Sequence, residues 1–562
     1  MKKIVDILFG RAMILLVAFF IQIALIIFVV LEFQGYFFYF YLIGVLFSIL
    51  ILLFLINSNM NPSYKIAWII PIMLFPQLGW IFYALFSSGR FSKVTKKKQK
   101  RYYAKHIDNL SRVILKDKNI LHKLEKEDIV AMRQVKYLID YGESQIFENR
   151  ESKYLKIGED YYKSLLEELE KATQFIFMEY FIIAEGKMWD SVLEILKRKV
   201  KEGVEVRLIY DDFGCIMTLP KNYDKYLEQF GIKCSIFNPA NLIFTVIYNN
   251  RTHRKITVID GKVAFTGGIN LADEYINEIE RFGHWKDTGI LIKGEGVWGF
   301  TIMFLNIWKF LRKVDENFLK YKVEYDYKDL DSDGYIIPFS DSPLDREIVS
   351  SNVFTSLINN ATKYIYINTP YLIIDYEMTS ALCMAAKKGI DVRIVTPFIP
   401  DKKTVFEVTR SNYQTLIESG VKVYEYTPGF IHAKSFVVDD KFAVIGTINL
   451  DYRSLYLHFE CGVWIYKSKT ILDMKEDYLK TLEQCNIYTL EQCYKTSPIR
   501  KLLRSVLKIF APLLWNIVKN FGKNVDIINN IRYNINVFIA TFRSVSPGFR
   551  IYVIIDISRR KP

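Results

Sequence analysis

The sequence predicts an α/β protein in which two duplicated half-domains share one active site, preceded by an α-helical transmembrane segment. Three observations support this prediction. Strand-like and helix-like stretches alternate after residue 150, four of these stretches recur in the same order, and three long apolar runs lie before residue 87. The length of 562 residues also favours several domains, and an apolar content of 51% excludes extensive disorder.

The N-terminal apolar runs predict a membrane anchor. Residues 12–31, 33–56 and 66–86 carry no charge, and each run has about the 20 residues that a helix needs to cross a bilayer. Residues 90–105 then contain eight basic residues and no acid, which predicts a cytoplasmic catalytic body. We therefore expect a multi-pass protein of the cell membrane, anchored by residues 1–89. Whether two or three of the runs cross the bilayer is left open.

The net charge of +14 is confined to two segments of the chain. Residues 90–105 and 516–562 together account for the whole basic excess, so the rest of the chain is neutral overall. A protein that binds nucleic acid through its active surface carries basic excess in its catalytic body. We therefore expect no nucleic-acid partner.

The cysteine pattern gives no sign of a metal site. The six cysteines form no C-x-x-C pair and are not accompanied by histidines at zinc-ligand spacing. The sequence therefore predicts free, buried thiols with a structural role, no metal ion and no cofactor.

An internal repeat defines the two half-domains. Four pairs of segments match in order: residues 171–183 with 360–372, 203–209 with 389–395, 253–270 with 432–449, and 287–292 with 460–465. Strands that alternate with helices of this length are typical of α/β units. We expect a basic juxtamembrane linker at 90–150, half-domains at 151–330 and 331–496, and a basic amphipathic helix with an extension at 497–562.

The third pair of segments carries the chemistry. Each copy has the pattern His-x-Lys, four residues, Asp, six residues, Gly-x-x-Asn, and its members are His253, Lys255, Asp260, Gly267 and Asn270, then His432, Lys434, Asp439, Gly446 and Asn449. Side chains two residues apart on a strand share a face, so each histidine should project with its lysine. Asp260 and Asp439 belong to the catalytic motif, but strand alternation and the turn signal Asp260-Gly261 predict that both support the structure.

This set of residues suits phosphodiester chemistry without a metal. One neutral imidazole can attack phosphorus, and a protonated one can donate to the leaving alkoxide. Lysines and asparagine amides can hold the non-bridging oxygens. Asp287 and Glu460 occupy equivalent places after the motifs, where each could accept the Nδ1 proton of a histidine. The alternative for both residues is that they are ordinary solvent-exposed acids at the ends of strands and do not contact a histidine.

The other histidines have no such pattern. A single His-x-Lys is most often ordinary surface alternation, and only its duplication at identical spacing favours catalysis. His106, His122, His284 and His458 have no partner pattern, and they are left out of the predicted site.

The doubled motif resembles that of the phospholipase D superfamily. The run GTINLDYRSLYLHFE at 446–460, together with NPSYKIAW at 61–68 and TPYL at 369–372, is similar to bacterial cardiolipin synthases. The resemblance implies that His253 is the nucleophile and His432 the general acid and later base. It further implies phosphate binding by both lysines and both asparagines, with Gly268 and Thr447 where the superfamily often has Ser or Gly.

The same resemblance implies a membrane-bound phosphatidyltransferase. Such an enzyme makes cardiolipin and glycerol from two phosphatidylglycerol molecules through a phosphatidyl-histidine intermediate. The alternatives are a phospholipase D-type phosphodiesterase, acting on lipid or as a membrane-anchored nuclease, and a catalytically silent membrane scaffold. The oligomeric state is left open.

The segment 497–515 has two interpretations. Its basic and apolar residues could form a helix in the lipid headgroup plane, or a helix docked on the catalytic body with a solvated basic edge. For the extension 516–562 the sequence suggests no role.

Overall fold

The computed structural model describes residues 37–76, 79–80, 83, 118–239, 250–324, 332–344 and 347–521. The chain divides into two compact units, residues 1–513 and 514–562, and the first unit is described below. The first apolar run, the basic block at 90–105 and residues 522–562 of the extension lie outside the described residues.

The second and third apolar runs each contribute a helix, α1 (Phe37–Ile56) and α2 (Pro62–Leu74). Asn61 begins α2 as its N-cap, because its side-chain oxygen accepts the N–H of Ser63 at 3.0 Å. In the part of the chain that is described, no helix combines the length and apolar content needed to cross a membrane. The membrane crossings therefore stay predictions.

Two short helices precede the first half-domain, α3 (Lys118–Glu127) and α4 (Ile129–Asp140). Asp128 separates them and begins α4, since its carboxylate accepts the N–H groups of Val130 and Ala131. Both helices contribute to the hydrophobic core of the second half-domain. The C-terminal part of the predicted linker is thus folded structure.

The first half-domain is built on a seven-stranded sheet with the order β2-β9-β7-β6-β3-β4-β5. Its elements are β2 (Glu151–Leu155), α5 (Gly158–Glu170), β3 (Phe175–Tyr180), α6 (Lys187–Lys201), β4 (Glu205–Asp211), α7 (Asp212–Cys215), α8 (Tyr223–Glu228), β5 (Lys233–Phe237), β6 (Ile256–Ile259), β7 (Val263–Gly267), β8 (His284–Lys286), β9 (Gly289–Lys293) and α9 (Val297–Arg312). All six residues of β3 are buried, as expected for a strand covered on both faces.

The second half-domain is built on a nine-stranded sheet, which begins with β1 (Phe147–Glu148) from the preceding segment. Its own elements are β10 (Tyr335–Asp341), α10 (Val349–Asn360), β11 (Tyr364–Asn368), β12 (Leu372–Ile373), α11 (Tyr376–Lys387), β13 (Asp391–Pro397), α12 (Lys403–Ser411), α13 (Tyr413–Glu418), β14 (Lys422–Tyr426), β15 (Gly429–Ile431), β16 (Ser435–Val438), β17 (Phe442–Gly446), β18 (Leu450–Asp451), α14 (Tyr452–Tyr456), β19 (Glu460–Tyr466), α15 (Lys469–Leu482), β20 (Cys485–Tyr488), α16 (Leu490–Tyr494) and α17 (Pro498–Phe521).

The two sheets have the same topology. Seven strands of the second sheet run in the order β10-β19-β17-β16-β11-β13-β14, which repeats the order of the first sheet strand for strand. In both halves the strand that follows the His-x-Lys motif pairs antiparallel with the strand in the first matched segment, residues 171–183 or 360–372. These pairs are β6 with β3, and β16 with β11. The predicted duplication and α/β class are confirmed.

The halves are joined by backbone pairing and by a shared core. Strand β8 pairs in parallel with β15, and an isolated bridge joins Thr252 to Phe459. One hydrophobic cluster contains side chains from both sheets, including Phe177 and Val258 from the first and Val437 and Val463 from the second. The pairing brings the segment before each motif histidine against the other half. All six cysteines are free thiols, as predicted.

Candidate active site

The histidine and the lysine of each motif lie where a strand begins. His253 and Lys255 immediately precede β6, and His432 and Lys434 immediately precede β16. All four side chains are at least nine-tenths buried. The structure therefore brings together the two pairs that the sequence predicted.

Each histidine is oriented by the opposite half-domain. Nδ1 of His253 lies 2.9 Å from Oε1 of Glu460, and Nδ1 of His432 lies 2.6 Å from Oδ2 of Asp287. The backbone N–H of His253 donates to the carbonyl of Phe459, and that of His432 to the carbonyl of Lys286. Because a carboxylate only accepts, the contact with Glu460 places the proton of a neutral His253 on Nδ1 and leaves a lone pair on its Nε2 atom.

Burial makes both imidazoles poor proton acceptors in the empty site. Burial, and next to it the charge of the nearby lysines, holds the pKa of His253 and of His432 well below the ordinary range. Burial also raises the pKa of Asp287 to about 7. The pair of His432 and Asp287 therefore retains a proton more readily than an imidazole beside an ordinary carboxylate would.

The two lysines are arranged alike. Nζ of Lys255 donates to the carbonyl of His253 at 2.6 Å, and Nζ of Lys434 donates to the carbonyl of His432. Burial lowers the pKa of Lys255 to about 8 and that of Lys434 to about 7, although Asp287 and Glu460 oppose this effect. Buried cations of lowered pKa gain most from an anion placed beside them, which is what a bound phosphodiester supplies.

The two motif asparagines are not equivalent. Oδ1 of Asn270 accepts the N–H of Ile182 at 2.9 Å, and Nδ2 donates to the hydroxyl of Tyr275 at 2.6 Å. Oδ1 of Asn449 is buried and has no hydrogen-bond partner among the described residues. Asn270 thus supports its own half-domain, whereas the amide oxygen of Asn449 is left without a partner there, and phosphate binding by either asparagine stays a prediction.

Gly268 and Thr447 lie beside the orienting carboxylates. A Cβ atom at Gly268 would come within 2.0 Å of Oδ1 of Asp287, so a side chain there would displace the carboxylate. The hydroxyl of Thr447 donates to Oε2 of Glu460. Gly268 thus leaves space for the carboxylate of Asp287, and Thr447 holds that of Glu460 by a hydrogen bond. Phosphate binding by either residue stays a prediction.

Asp260 and Asp439 lie at the ends of β6 and β16 that are remote from the histidines. The Asp260 carboxylate accepts the N–H groups of Thr173, Gln174 and Phe175, and Asp439 accepts those of Thr362, Lys363 and Tyr364. Both aspartates have positive φ, 52° and 56°, as a type I′ turn requires. Through these hydrogen bonds the two aspartates fix the start of β3 and β11, and a direct part of either residue in catalysis stays a prediction.

His458 belongs to the site but was left out by the sequence interpretation. Its ring centroid lies 5.7 Å from that of His253, and its Nδ1 lies 3.8 Å from Oε1 of Glu460. Both ring nitrogens are buried without a hydrogen-bond partner in the described part of the chain, and burial lowers the pKa of His458 to about 3. The available signal was its position two residues before Glu460, which places both side chains on one face.

His253, His458 and Glu460 also form a group that could hold a metal ion. Their potential ligand atoms lie within 4.8 Å of one another. No local sequence pattern indicates such a group, because two of its members come from one half-domain and one from the other. The two lysine cations nearby oppose the binding of a further cation at this place.

The start of α2 contacts the second half-domain, including the helix that follows the second motif. Nδ2 of Asn61 donates to Asp375 at 3.0 Å and to the hydroxyl of Tyr456 at 3.1 Å, and the hydroxyl of Tyr452 donates to Ser63 at 2.8 Å. The aromatic ring of Tyr64 packs edge-on against those of Tyr452 and Tyr456. Helix α14, which starts three residues after Asn449, is therefore held by the N-terminal segment.

Comparison with known proteins agrees with this geometry. The family profile described as "Cardiolipin synthase, PLD-like domain" matches residues 165–282 and 354–482, one match in each half-domain. The profile described as "Phospholipase D-nuclease N-terminal" matches residues 46–87. A cardiolipin synthase of Halalkalibacterium halodurans is 34% identical over 81% of this chain and 90% of its own.

The chain belongs to the cardiolipin synthase family. It is accordingly an enzyme of the phospholipase D superfamily. An uncharacterised protein of Streptococcus mutans is 45% identical over 82% of this chain and 99% of its own. In fold, the chain is similar to a phosphatidylserine synthase of Haemophilus influenzae, with a TM-score of 0.51 over 67% of this chain and 96% of that one, at 16% identity.

Proposed function

We propose that the enzyme transfers a phosphatidyl group from one phosphatidylglycerol to the hydroxyl of a second, which yields cardiolipin and glycerol. The observation that carries the proposal is the crossed pairing of His253 with Glu460 and of His432 with Asp287. It gives one site an imidazole held as a nucleophile by Glu460 and a second imidazole whose partner, Asp287, has a raised pKa and can supply a proton. A double displacement at phosphorus needs such a nucleophile and such an acid.

In the first step His253 attacks phosphorus. Its Nδ1–H is held by Glu460, so the Nε2 lone pair forms the N–P bond while the bond from phosphorus to the glycerol oxygen breaks. His432 donates its Nε2 proton to the leaving oxygen and accepts the proton of Asp287 at Nδ1. The products are phosphatidyl-His253 and neutral glycerol, and Asp287 is left ionised.

In the second step the roles reverse. The hydroxyl of a second phosphatidylglycerol gives its proton to Nε2 of His432, and its oxygen attacks phosphorus as the N–P bond breaks. The Nδ1 proton of His432 returns to Asp287, so the pair regains the proton that it lost. Lys255 and Lys434 hold the non-bridging oxygens in both steps, because charge builds up there in each transition state.

The exposed surface of α1 supports a location in the cell membrane. Phe38, Leu50 and Ile56 are 69%, 62% and 59% exposed, and α1 carries no charged residue. An exposed apolar surface of this kind is typical of contact with lipid. We place the protein as a multi-pass protein of the cell membrane with a cytoplasmic catalytic body, where its lipid substrates are held at the same surface.

The decisive experiment follows the products of one substrate. Purified full-length protein is given phosphatidylglycerol labelled in its headgroup and its acyl chains, in detergent, and cardiolipin, phosphatidic acid and glycerol are measured. We expect cardiolipin and glycerol in equal amounts. Phosphatidic acid as the main product would make the protein a lipid hydrolase, and the absence of any product would favour a silent scaffold. Cleavage of a labelled oligonucleotide in the same preparation would instead point to a nuclease.

A further inference from the structure

Helix α17 turns its basic side toward the catalytic body. Arg500 donates from Nε to both carboxylate oxygens of Glu407 at 3.0 Å, and Nε of Arg504 lies 2.7 Å from Oε2 of the same residue. Glu407 belongs to α12, and Arg504 is only 8% exposed. The contact with the body is therefore made by arginines.

The apolar side of α17 points away from the body. Ile499, Leu502, Leu503 and Val506 are 82%, 67%, 50% and 45% exposed. At about 100° per residue, these four side chains fall on one side of the helix, and Arg500 and Arg504 fall beside and opposite to it. A helix docked on the body with a solvated basic edge would instead bury its apolar side against the body and expose its basic side to solvent. The helix is thus docked on the body through its arginines and not through its apolar side.

The charge of the helix indicates what covers this apolar stripe. Residues 498–512 contain Arg500, Lys501, Arg504 and Lys508 and no acid. Arg500 and Arg504 share one carboxylate, so the helix keeps a positive net charge. A second copy of the chain would bring an equally basic helix, and the extension 516–562 is basic as well. Like charges disfavour both of these occupants, whereas an anionic bilayer surface complements the helix.

We propose that α17 lies in the headgroup region of an anionic bilayer, with Ile499, Leu502, Leu503 and Val506 inserted among the acyl chains. The ion pairs from Arg500 and Arg504 to Glu407 fix the helix to the second half-domain, so membrane contact at α17 also fixes the orientation of that half-domain. This docking surface is independent of the reaction proposed above, since it requires only the helix and its charges.

Fluorescence from a single attached dye tests the insertion. The variant Leu502→Cys of the full chain, in which the partly exposed Cys485 is replaced by Ser, is labelled with an environment-sensitive dye and reconstituted into vesicles of phosphatidylcholine with and without phosphatidylglycerol. We expect a blue shift and quenching by brominated acyl chains when the anionic lipid is present. The variant Gln492→Cys, at an exposed position of α16, is the control and should show neither change.

Equal responses of the two labelled variants would overturn the proposal, as would a Leu502 label that anionic lipid does not affect. Cross-linking between Leu502→Cys chains would identify a second copy as the occupant. A label that is shielded equally in detergent and in vesicles, and is not quenched by the lipid, would identify the C-terminal extension. Each of these outcomes contradicts insertion into lipid.

A matched pair of leucines tests the consequence for activity. Leu503 on α17 and Leu472 on α15 are 50% and 51% exposed. We expect Leu503→Glu to lower turnover of lipid presented in vesicles but not of lipid in mixed detergent micelles, which also reports that the variant is folded. Leu472→Glu should lower neither. Equal turnover of vesicle lipid by the two variants would contradict insertion of α17 into the bilayer. This test does not depend on which product the enzyme makes.

Discussion

Nδ1 of His253 lies 2.9 Å from Oε1 of Glu460, although 207 residues separate the two in the chain. The reciprocal contact joins His432 to Asp287 at 2.6 Å. Neither half-domain therefore contains an oriented histidine of its own. The duplicated motif becomes a single active site only when the two halves pack together.

Removing either histidine should stop the reaction. We expect His253→Ala and His432→Ala each to lower turnover by several orders of magnitude, because the two groups act as one unit. The measurement is cardiolipin formation by the purified variants. His122→Ala is the control, since this side chain is exposed on α3 and should be dispensable. Substantial activity in either active-site variant would contradict a shared site.

The two carboxylates should affect different steps. Glu460→Gln removes the acceptor of the Nδ1 proton of His253, and Asp287→Asn removes the group that exchanges a proton with Nδ1 of His432, so each should lower turnover by about 10²- to 10⁴-fold. A phosphatidyl ester of a phenol needs no proton on its leaving group, so it should partly restore the first step in Asp287→Asn but not in Glu460→Gln.

The exposed Glu476, replaced by Gln, is the matched control for these variants and should retain normal activity. Equal rescue of both carboxylate variants by the phenolic substrate would mean that the assigned order of nucleophile and acid is wrong.

Anion binding should weaken at alkaline pH. In the empty site the pKa of Lys434 is about 7 and that of Lys255 about 8, so both ammonium groups lose their protons as pH rises through this range. A phosphodiester favours the protonated lysines, so its binding should take up protons and its dissociation constant should increase above about pH 7.

Calorimetry with dimethyl phosphate in two buffers of different ionisation enthalpy measures this effect, because the charge of the diester does not change with pH there. The variant Lys255→Arg keeps its charge and should bind with a weaker dependence on pH. A dissociation constant that is the same at acid and alkaline pH would contradict the role of the lysines.

Chelators should leave the reaction intact, because lysines supply the positive charge at the phosphate. Added Zn²⁺ should inhibit, since an ion held by His253, His458 and Glu460 would occupy the nucleophile and its orienting carboxylate. Turnover with EDTA and with increasing Zn²⁺ measures both effects. Complete loss of activity in EDTA that a divalent ion restores would show that the reaction depends on a metal.

The contact of the N-terminal segment with α14 should stabilise the second half-domain. Asn61→Ala removes hydrogen bonds to Asp375 and Tyr456, and we expect a loss of about 1–2 kcal/mol in local stability. Faster amide hydrogen exchange in α14 is the measurement. The control is Asn57→Ala, whose side chain donates to the Leu53 carbonyl at the exposed end of α1. Unchanged exchange in α14 would show that the contact is not stabilising.

Local sequence patterns determined the secondary structure of the two half-domains and the positions of the motif residues within it. The duplicated strand and helix pattern predicted the two sheets, because burial on alternating faces leaves a regular trace in the sequence. The motif spacing placed His253 and His432 before equivalent strands, and the Asp260-Gly261 pair marked a turn. Each of these features depends on neighbours within a few residues.

The tertiary structure decided what depends on packing between distant segments. It paired His253 with Glu460 and brought His458 into the site, and both contacts require the two half-domains to meet. It also turned the arginines of α17 toward Glu407 on α12. Helical periodicity separates the apolar side of α17 from the basic side, but it carries no information about which side meets the body. That choice is made by a carboxylate almost a hundred residues earlier in the chain, whose burial is stabilised by two positive charges.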